Sequence, residues 1–265
     1  VFTPSSIGAF GNDTPKDKTP QDTLQRPKTM YGVTKVAGEL LSDYYFKRFG
    51  VDTRSVRFPG LISNVTLPGG GTTDYAVDIY YAAVKEGKFV CPIKEGTYMD
   101  MMYMPDALRA AIELMEADPT RLVHRNSFNI ASMSFEPSQI AAAVKRQIPN
   151  FEMTYNVDPL RQGIAESWPN SLDDTCARQE WDWKPQFDID SMSEDMVRIL
   201  IDAGADLNRL NDRGQTALVC AVFRDNEPIA QALLKAGADP HLGTQTPAQV
   251  AQFFDLPSMQ KLLAN

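Results

Sequence analysis

Residues 29 to 48 read as one helix set between two strand-like runs, Val1 to Ser6 and Thr53 to Phe58. That strand–helix–strand succession restricts the first part of the chain to an α/β arrangement. Pro27 and Thr29 introduce the helix, with Thr29 as its capping residue. Ser6 then stands at the C-terminal edge of a strand, where open α/β sheets take up ligands. Tyr31 and Lys35 fall one turn apart on the same helix face. A free phenol ionises near pH ~10 and is a poor base at neutrality. An ammonium a few ångströms away favours the phenolate, so Tyr31 can exchange a proton while Ser6 holds a substrate oxygen. Tyr-x-x-x-Lys alone also describes a solvated helix face, and it is the preceding strand with Ser6 that gives the pair its meaning.

The same order continues downstream. Glu39 follows in the helix, and Arg57-Phe58-Pro59-Gly60 closes the second strand. Together these motifs resemble the extended short-chain dehydrogenase/reductase family. Within it, Pro4-Ser5-Ser6-Ile7, Gly69-Gly70-Gly71-Thr72-Thr73-Asp74-Tyr75-Ala76 and Glu166-Ser167-Trp168-Pro169 closely resemble the epimerase-like L-threonine 3-dehydrogenases. Met102-Tyr103-Met104-Pro105-Asp106, Phe128-Asn129-Ile130 and Trp181-Asp182-Trp183-Lys184-Pro185 extend the resemblance to about residue 196.

The resemblance implies a doubly wound, Rossmann-type domain, NAD as cofactor, and oxidation of the L-threonine β-hydroxyl to 2-amino-3-ketobutyrate. Tyr31 would be the general base, Ser6 would orient the hydroxyl, and Lys35 would tune Tyr31 and hold the nicotinamide ribose. Phe58, Pro59, Gly60 and Ile62 would line the nicotinamide pocket through backbone contacts. Thr72 and Thr73, whose hydroxyls donate and accept, would meet the amino-acid end of the substrate, and Trp168 would cover it. A related sugar-nucleotide epimerase or dehydratase is the neighbouring reading. The resemblance also implies a homodimer through helices such as the one bearing Tyr31. Other readings stay open: Gly69 to Gly71 as a plain loop, Trp168 as a packing residue, Arg57 as an ion-pair partner.

The phosphate-binding Gly-x-x-Gly-x-x-Gly turn and the acidic residue that holds an adenosine ribose are not found in the sequence. The expectation is an incomplete Rossmann-type domain without its N-terminal half, holding NAD poorly and inactive alone, with an exposed sheet edge at Val1 that favours aggregation.

The net charge of −8 argues against nucleic acid and anionic membrane surfaces as partners. Cys91, Cys176 and Cys220 are scattered and odd in number, as in a reducing compartment. His124 and His241 have no ligand spacing around them, so they read as surface residues and no metal site is expected. No apolar run is long enough to span a membrane, and a soluble cytoplasmic protein is the plain expectation.

Near residue 196 the composition changes. Ala203-Gly204-Ala205-Asp206 is echoed 33 residues later by Ala236-Gly237-Ala238-Asp239, the length of an ankyrin unit. Gly214-Gln215-Thr216-Ala217-Leu218 and Gly243-Thr244-Gln245-Thr246-Pro247 resemble the ankyrin turn into its first helix. Ala217, Leu218, Ala221 and Val222 share one apolar face, and Ile229, Leu233 and Leu234 the next. The tail, 197–265, therefore reads as all-α, with about two and a half ankyrin repeats: a half unit at 196–208, a full one at 211–240 and a shortened one at 243–264. Such repeats offer a protein-binding surface, which makes a binding module the alternative to an enzyme-derived chain. No linker separates the parts, and the join between residues 1–196 and the tail falls inside a helix that opens near Ser191.

Overall fold

The computed structural model of the protein describes residues 1–63, 65, 69–202, 207–208, 210 and 214–264. Along the chain come β1 (Ser5–Ser6), α1 (Met30–Phe49), β2 (Val56–Phe58), β3 (Gly60–Ile62), α2 (Tyr75–Glu86), β4 (Lys88–Cys91), β5 (Met99–Tyr103) and α3 (Met104–Glu116). They are followed by β6 (Phe128–Asn129), β7 (Met133–Phe135), α4 (Pro137–Gln147), β8 (Glu152–Tyr155), α5 (Pro159–Ala165), α6 (Thr175–Trp181) and α7 (Ile189–Asp202). The last helices are α8 (Ala217–Phe223), α9 (Glu227–Lys235), α10 (Pro247–Phe253) and α11 (Pro257–Leu263). The chain divides into two compact units.

The first unit comprises Val1–Asp74, Pro92–Pro137 and Val157–Asp188. Its parallel sheet has the order β1-β2-β6, with Ser6 beside Phe58 and Arg57 beside Asn129. A second sheet, β3-β5-β7, pairs β3 parallel and β7 antiparallel to β5. The strand expected over Val1 to Ser6 is regular at Ser5–Ser6, and Phe2 makes an isolated bridge to Arg54. Thr3 N still donates to Arg54 O at 2.9 Å, but Pro4 has no N–H to continue the ladder. Pro59 ends β2 in the same way. The chain then changes sheets at Gly60, where a Cβ would stand 2.4 Å from Met101 Sδ. Behind the parallel sheet, Trp183, Trp181, Phe128, Met102 and Leu114 form the core.

Helix α1 begins where the sequence places it: Thr29 caps it, its hydroxyl accepting from Gly32 N at 3.1 Å. It ends at Gly50 in the left-handed conformation (φ 67°), which costs glycine little.

The second unit comprises Tyr75–Cys91, Ser138–Asn156 and Ile189–Asn265. Its strands β4 and β8 pair in parallel. Helix α2 packs on β4 and α7 and buries Tyr80 completely; the Tyr80 hydroxyl and Ser193 Oγ lie 2.6 Å apart. Helix α8 packs on α9 and α10, and α10 on α11. Thr216 and Thr246 cap α8 and α10, accepting from Val219 N and Gln249 N, and Gln249 reciprocates to Thr246 N. Leu218, Ala221, Val222, Ile229 and Leu233 are buried, whereas Ala217 and Leu234 are half-buried. The glycines that open these turns, Gly214 (φ 70°) and Gly243 (φ 132°), take conformations that side chains resist. The first Gly-Ala-Asp of the repeat, at 203–206, and the start of the full unit, at 211–213, lie outside the described residues. Cys91, Cys176 and Cys220 form no disulfide among the described residues. Among the described residues no helix is long and apolar enough to cross a membrane.

Candidate active site

Ser6 ends β1 and caps the short turn Ile7–Ala9, its Oγ accepting from Gly8 N at 3.1 Å. The first turn of α1 presses on that short turn. A Cβ on Gly32 would lie 2.2 Å from Gly8 O, and one on Gly8 would lie 2.8 Å from Cε1 of Tyr31 and 3.6 Å from Ser6 Oγ. Two glycines thus let the Tyr31 ring lie across Gly8, beside the serine. One turn further, Lys35 Nζ donates to Pro4 O at 2.8 Å and stands 5.3 Å from the Tyr31 ring centroid. Tyr31 is half-exposed, so its hydroxyl can reach a ligand. The three residues that sequence spacing put forward share one place at the C-terminal end of β1.

The remaining candidates continue outward from it. Phe58 is the β-partner of Ser6, and Pro59 and Gly60 follow it into the second sheet. Thr73 packs its methyl group over Gly60, where a Cβ would approach it to 2.7 Å. Thr72 is buried in the turn Thr72–Asp74. The Asp74 carboxylate fixes the glycine run by accepting from Gly70 N at 2.8 Å and Gly71 N at 2.7 Å. Ile62 is fully buried, so the groups it can offer a ligand are those of its backbone. Residues 64 and 66–68, which precede the glycine run, lie outside the described residues. Trp168 is half-buried and packs against the cluster of Ile7, Phe10 and Leu172, next in sequence to Ser6.

Beneath the serines lies a buried ionic network. Arg57 donates Nε to Glu39 Oε1 at 3.1 Å and Nη2 to Oε2 at 2.9 Å, and Nη1 to Gln21 O and Asn129 Oδ1. Ser5 and Gln25 also donate to Glu39. Of the two readings open for Arg57, the structure shows the ion pair. A second residue, Lys16, drew no notice from sequence. Its Nζ donates to Glu166 O at 2.6 Å and Trp168 O at 2.9 Å, and burial lowers its pKa although Glu166 pulls the other way. Partners 150 residues away leave no local trace.

His124, expected at the surface without partners, is instead partly buried beside Cys176 and Glu180. His241 N donates to Asp239.

A family model for the NAD dependent epimerase/dehydratase family matches residues 1–131, and one for ankyrin repeats in three copies matches residues 184–244. An uncharacterized epimerase/dehydratase of Staphylococcus aureus is 61% identical over 199 residues, 75% of this chain and 62% of that protein. The L-threonine dehydrogenase of Clostridium difficile superposes with a TM-score of 0.76 at 62% identity, over 77% of this chain and 64% of its own. The GalE-like L-threonine dehydrogenase of Cupriavidus necator, in its apo form, superposes with a TM-score of 0.74 at 55% identity, over 76% and 72%. The chain thus spans less than two thirds of the length of the curated relative. Its α/β portion belongs to the NAD dependent epimerase/dehydratase family, and ankyrin repeats continue the same polypeptide.

Proposed function

We propose that residues 1–196 constitute an oxidoreductase portion that acts on the β-hydroxyl of L-threonine with NAD, giving 2-amino-3-ketobutyrate. The observation that carries this reading is the meeting of Ser6 and Tyr31 at Gly8, with Lys35 over the Tyr31 ring, in a chain about 60% identical to a threonine dehydrogenase over three quarters of its length. Ser6 Oγ accepts from Gly8 N and keeps its own hydrogen for the substrate oxygen. Tyr31 takes the hydroxyl proton, and the Lys35 ammonium, pinned to Pro4 O, holds positive charge beside the phenol. Thr72 and Thr73 address the amino and carboxylate groups, and Trp168 walls the site.

These residues fit the nicotinamide–ribose end of a dinucleotide: a half-exposed phenol, an ammonium one turn away, and the backbone of Phe58, Pro59, Gly60 and Ile62 next to Ser6. None of them addresses its pyrophosphate. When bound, the dinucleotide supplies the hydride acceptor. The exposed side of α1, with Leu40, Leu41, Tyr44 and Tyr45, is included in the proposal as the face of a homodimer. Residues 197–265 form the ankyrin portion, and the exposed aromatics Phe223 and Phe253 that end α8 and α10, with Phe254 next to them, favour a second role in binding a protein partner.

The test is NADH formation at 340 nm with the full chain, L-threonine and NAD, beside melting curves with threonine alone. The expected result is a threonine-dependent rise in melting temperature without NADH formation by residues 1–265 alone, because their sequence holds no Gly-x-x-Gly-x-x-Gly turn for the pyrophosphate; any turnover that does occur should be abolished by Tyr31→Phe. Neither turnover nor a threonine shift, or turnover undiminished in Tyr31→Phe, removes the reading. A response to a nucleotide sugar instead of threonine would reassign the substrate within the same family.

A further inference from the structure

Helix α5 packs on the turn Thr72–Asp74, and the Trp168 ring just past its end packs on Ile7, the neighbour of Ser6. The end of α5 therefore borders two parts of the site at once. Its own chain closes that end incompletely. Ser167 N donates to Ile164 O at 3.0 Å and Trp168 N to Ala165 O at 3.1 Å, but the carbonyls of Glu166 and Trp168 lie beyond the last helical turn. Pro169 follows Trp168 and has no N–H to offer Glu166.

Lys16 supplies the missing donors from the far end of the chain. Its Nζ donates to Glu166 O at 2.6 Å and to Trp168 O at 2.9 Å, and an ammonium suits the negative end of a helix. The carbonyl of the same residue accepts from Asn170 N at 2.8 Å and from Ser171 N at 3.2 Å. Lys16 thus grips the chain before Pro169 with its side chain and the chain after it with its backbone. The later stretch has further supports. Ser134 Oγ donates to Asn170 O at 2.7 Å, Leu172 N to Asp100 Oδ2 at 2.8 Å and Asp173 N to Thr19 O at 3.0 Å. Removing the ammonium would therefore release Glu166 to Trp168 and leave residues 170–173 in place.

We propose, on the threonine reading of this site, that Lys16 is a positioning residue whose ammonium fixes the backbone of Trp168 and so holds the wall of the amino-acid pocket beside Ser6. Hydrogen bonds from a charged donor are about twice as strong as neutral ones. Lys16 gives up hydration to make them, and that burial lowers its pKa against the pull of Glu166. With the ammonium gone, a ligand would have to order the Trp168 turn as it binds, and that ordering is taken from its affinity.

The alternative is a staple that adds stability and leaves the pocket unchanged. Calorimetric titration of the full chain with L-threonine, beside acrylamide quenching of its fluorescence, separates the two. Of the three tryptophans, Trp181 and Trp183 are buried, so acrylamide reaches Trp168 first. Lys16→Met should weaken threonine binding roughly fivefold or more and raise the quenching constant, with the urea midpoint close to that of the parent. Lys16→Arg keeps a cation with several donors and should recover most of the affinity and the protection from acrylamide. Unchanged threonine affinity in Lys16→Met, unchanged quenching, or no recovery in Lys16→Arg overturns the proposal. A parent that binds no threonine overturns the substrate reading instead, and the quenching comparison then decides alone whether Lys16 holds Trp168.

Discussion

Glu39 accepts from Arg57 through both carboxylate oxygens and from Ser5 and Gln25 besides, and the two ionic side chains are 6% and 8% exposed. Removing one member of such a pair leaves the other charged and buried, at a cost of about 3–5 kcal/mol. Glu39→Ala should lower urea stability by that amount, and pairing it with Arg57→Met should recover much of the loss, because the two effects do not add. Asp100 poses the opposite case. Burial holds its carboxyl well above the usual carboxylate range, although Leu172 N donates to it at 2.8 Å. A raised native pKa means that its stabilising contribution is complete below the unfolded value of about 3.9 and is lost as pH rises through the folded one. Asp100→Asn keeps an acceptor for Leu172, so its melting temperature relative to the parent should climb as pH rises above about 4; a pH-independent difference would refute the burial argument. Ser6, Tyr31 and Lys35 were legible in the sequence because strand end and helix face are local patterns. Glu39 stood in plain view without its meaning, since a buried pair is defined by an arginine 18 residues away. Nothing in the sequence around Lys16, Asp100 or His124 announced their partners, which lie 52 to 152 residues distant.

Elements repeat the lesson on a larger scale. Helix α1 was read over residues 29 to 48 with Thr29 as its cap, and the structure carries it to Phe49, where Gly50 closes it in the left-handed conformation. The strands were less legible: Pro4 and Pro59 interrupt ladders that apolar pattern alone would prolong, and the passage at Gly60 from one sheet to another leaves no compositional mark. The end of α3 depends on another distant group. Arg54 Nη1 donates to Leu114 O at 2.7 Å, Met115 O at 3.1 Å and Ala117 O at 2.7 Å, while Nε and Nη2 hold Asp52. It satisfies carbonyls that a helix cannot satisfy itself, and its charge suits the negative end of the helix dipole. Arg54→Met keeps most of the stem and loses these bonds, so urea denaturation should show a loss of about 2–3 kcal/mol. A loss below about 0.5 kcal/mol would mean that water replaces the guanidinium there.

At the scale of the whole molecule, the resemblance of residues 1–196 and the 33-residue recurrence were both visible in sequence, and both families match. The compact units cut across that division, because α2, β4, α4 and β8 belong with the ankyrin helices. Sequence order hides this, since a unit is defined by packing and its pieces are far apart in the chain. The proposed dimer is testable at this scale. Leu40, Leu41 and Tyr44 are 63%, 57% and 53% exposed along one helix, and patches of that kind mark association surfaces. Sedimentation velocity should show a concentration-dependent dimer that Leu41→Glu disperses; a monomer at every concentration would retire the dimer.

Helix α7 has a further consequence. It runs unbroken across residue 196, burying Met192, Ser193, Met196 and Val197 while packing on α2 and on α9. A rigid rod shared in this way transmits rotational phase. One residue gained or lost within it would turn everything downstream by about 100°, swinging Ser193 from the Tyr80 hydroxyl or the later apolar positions from α9. Seven residues would nearly restore the angle. The chain can therefore drift in length in its loops, but along α7 it must keep count.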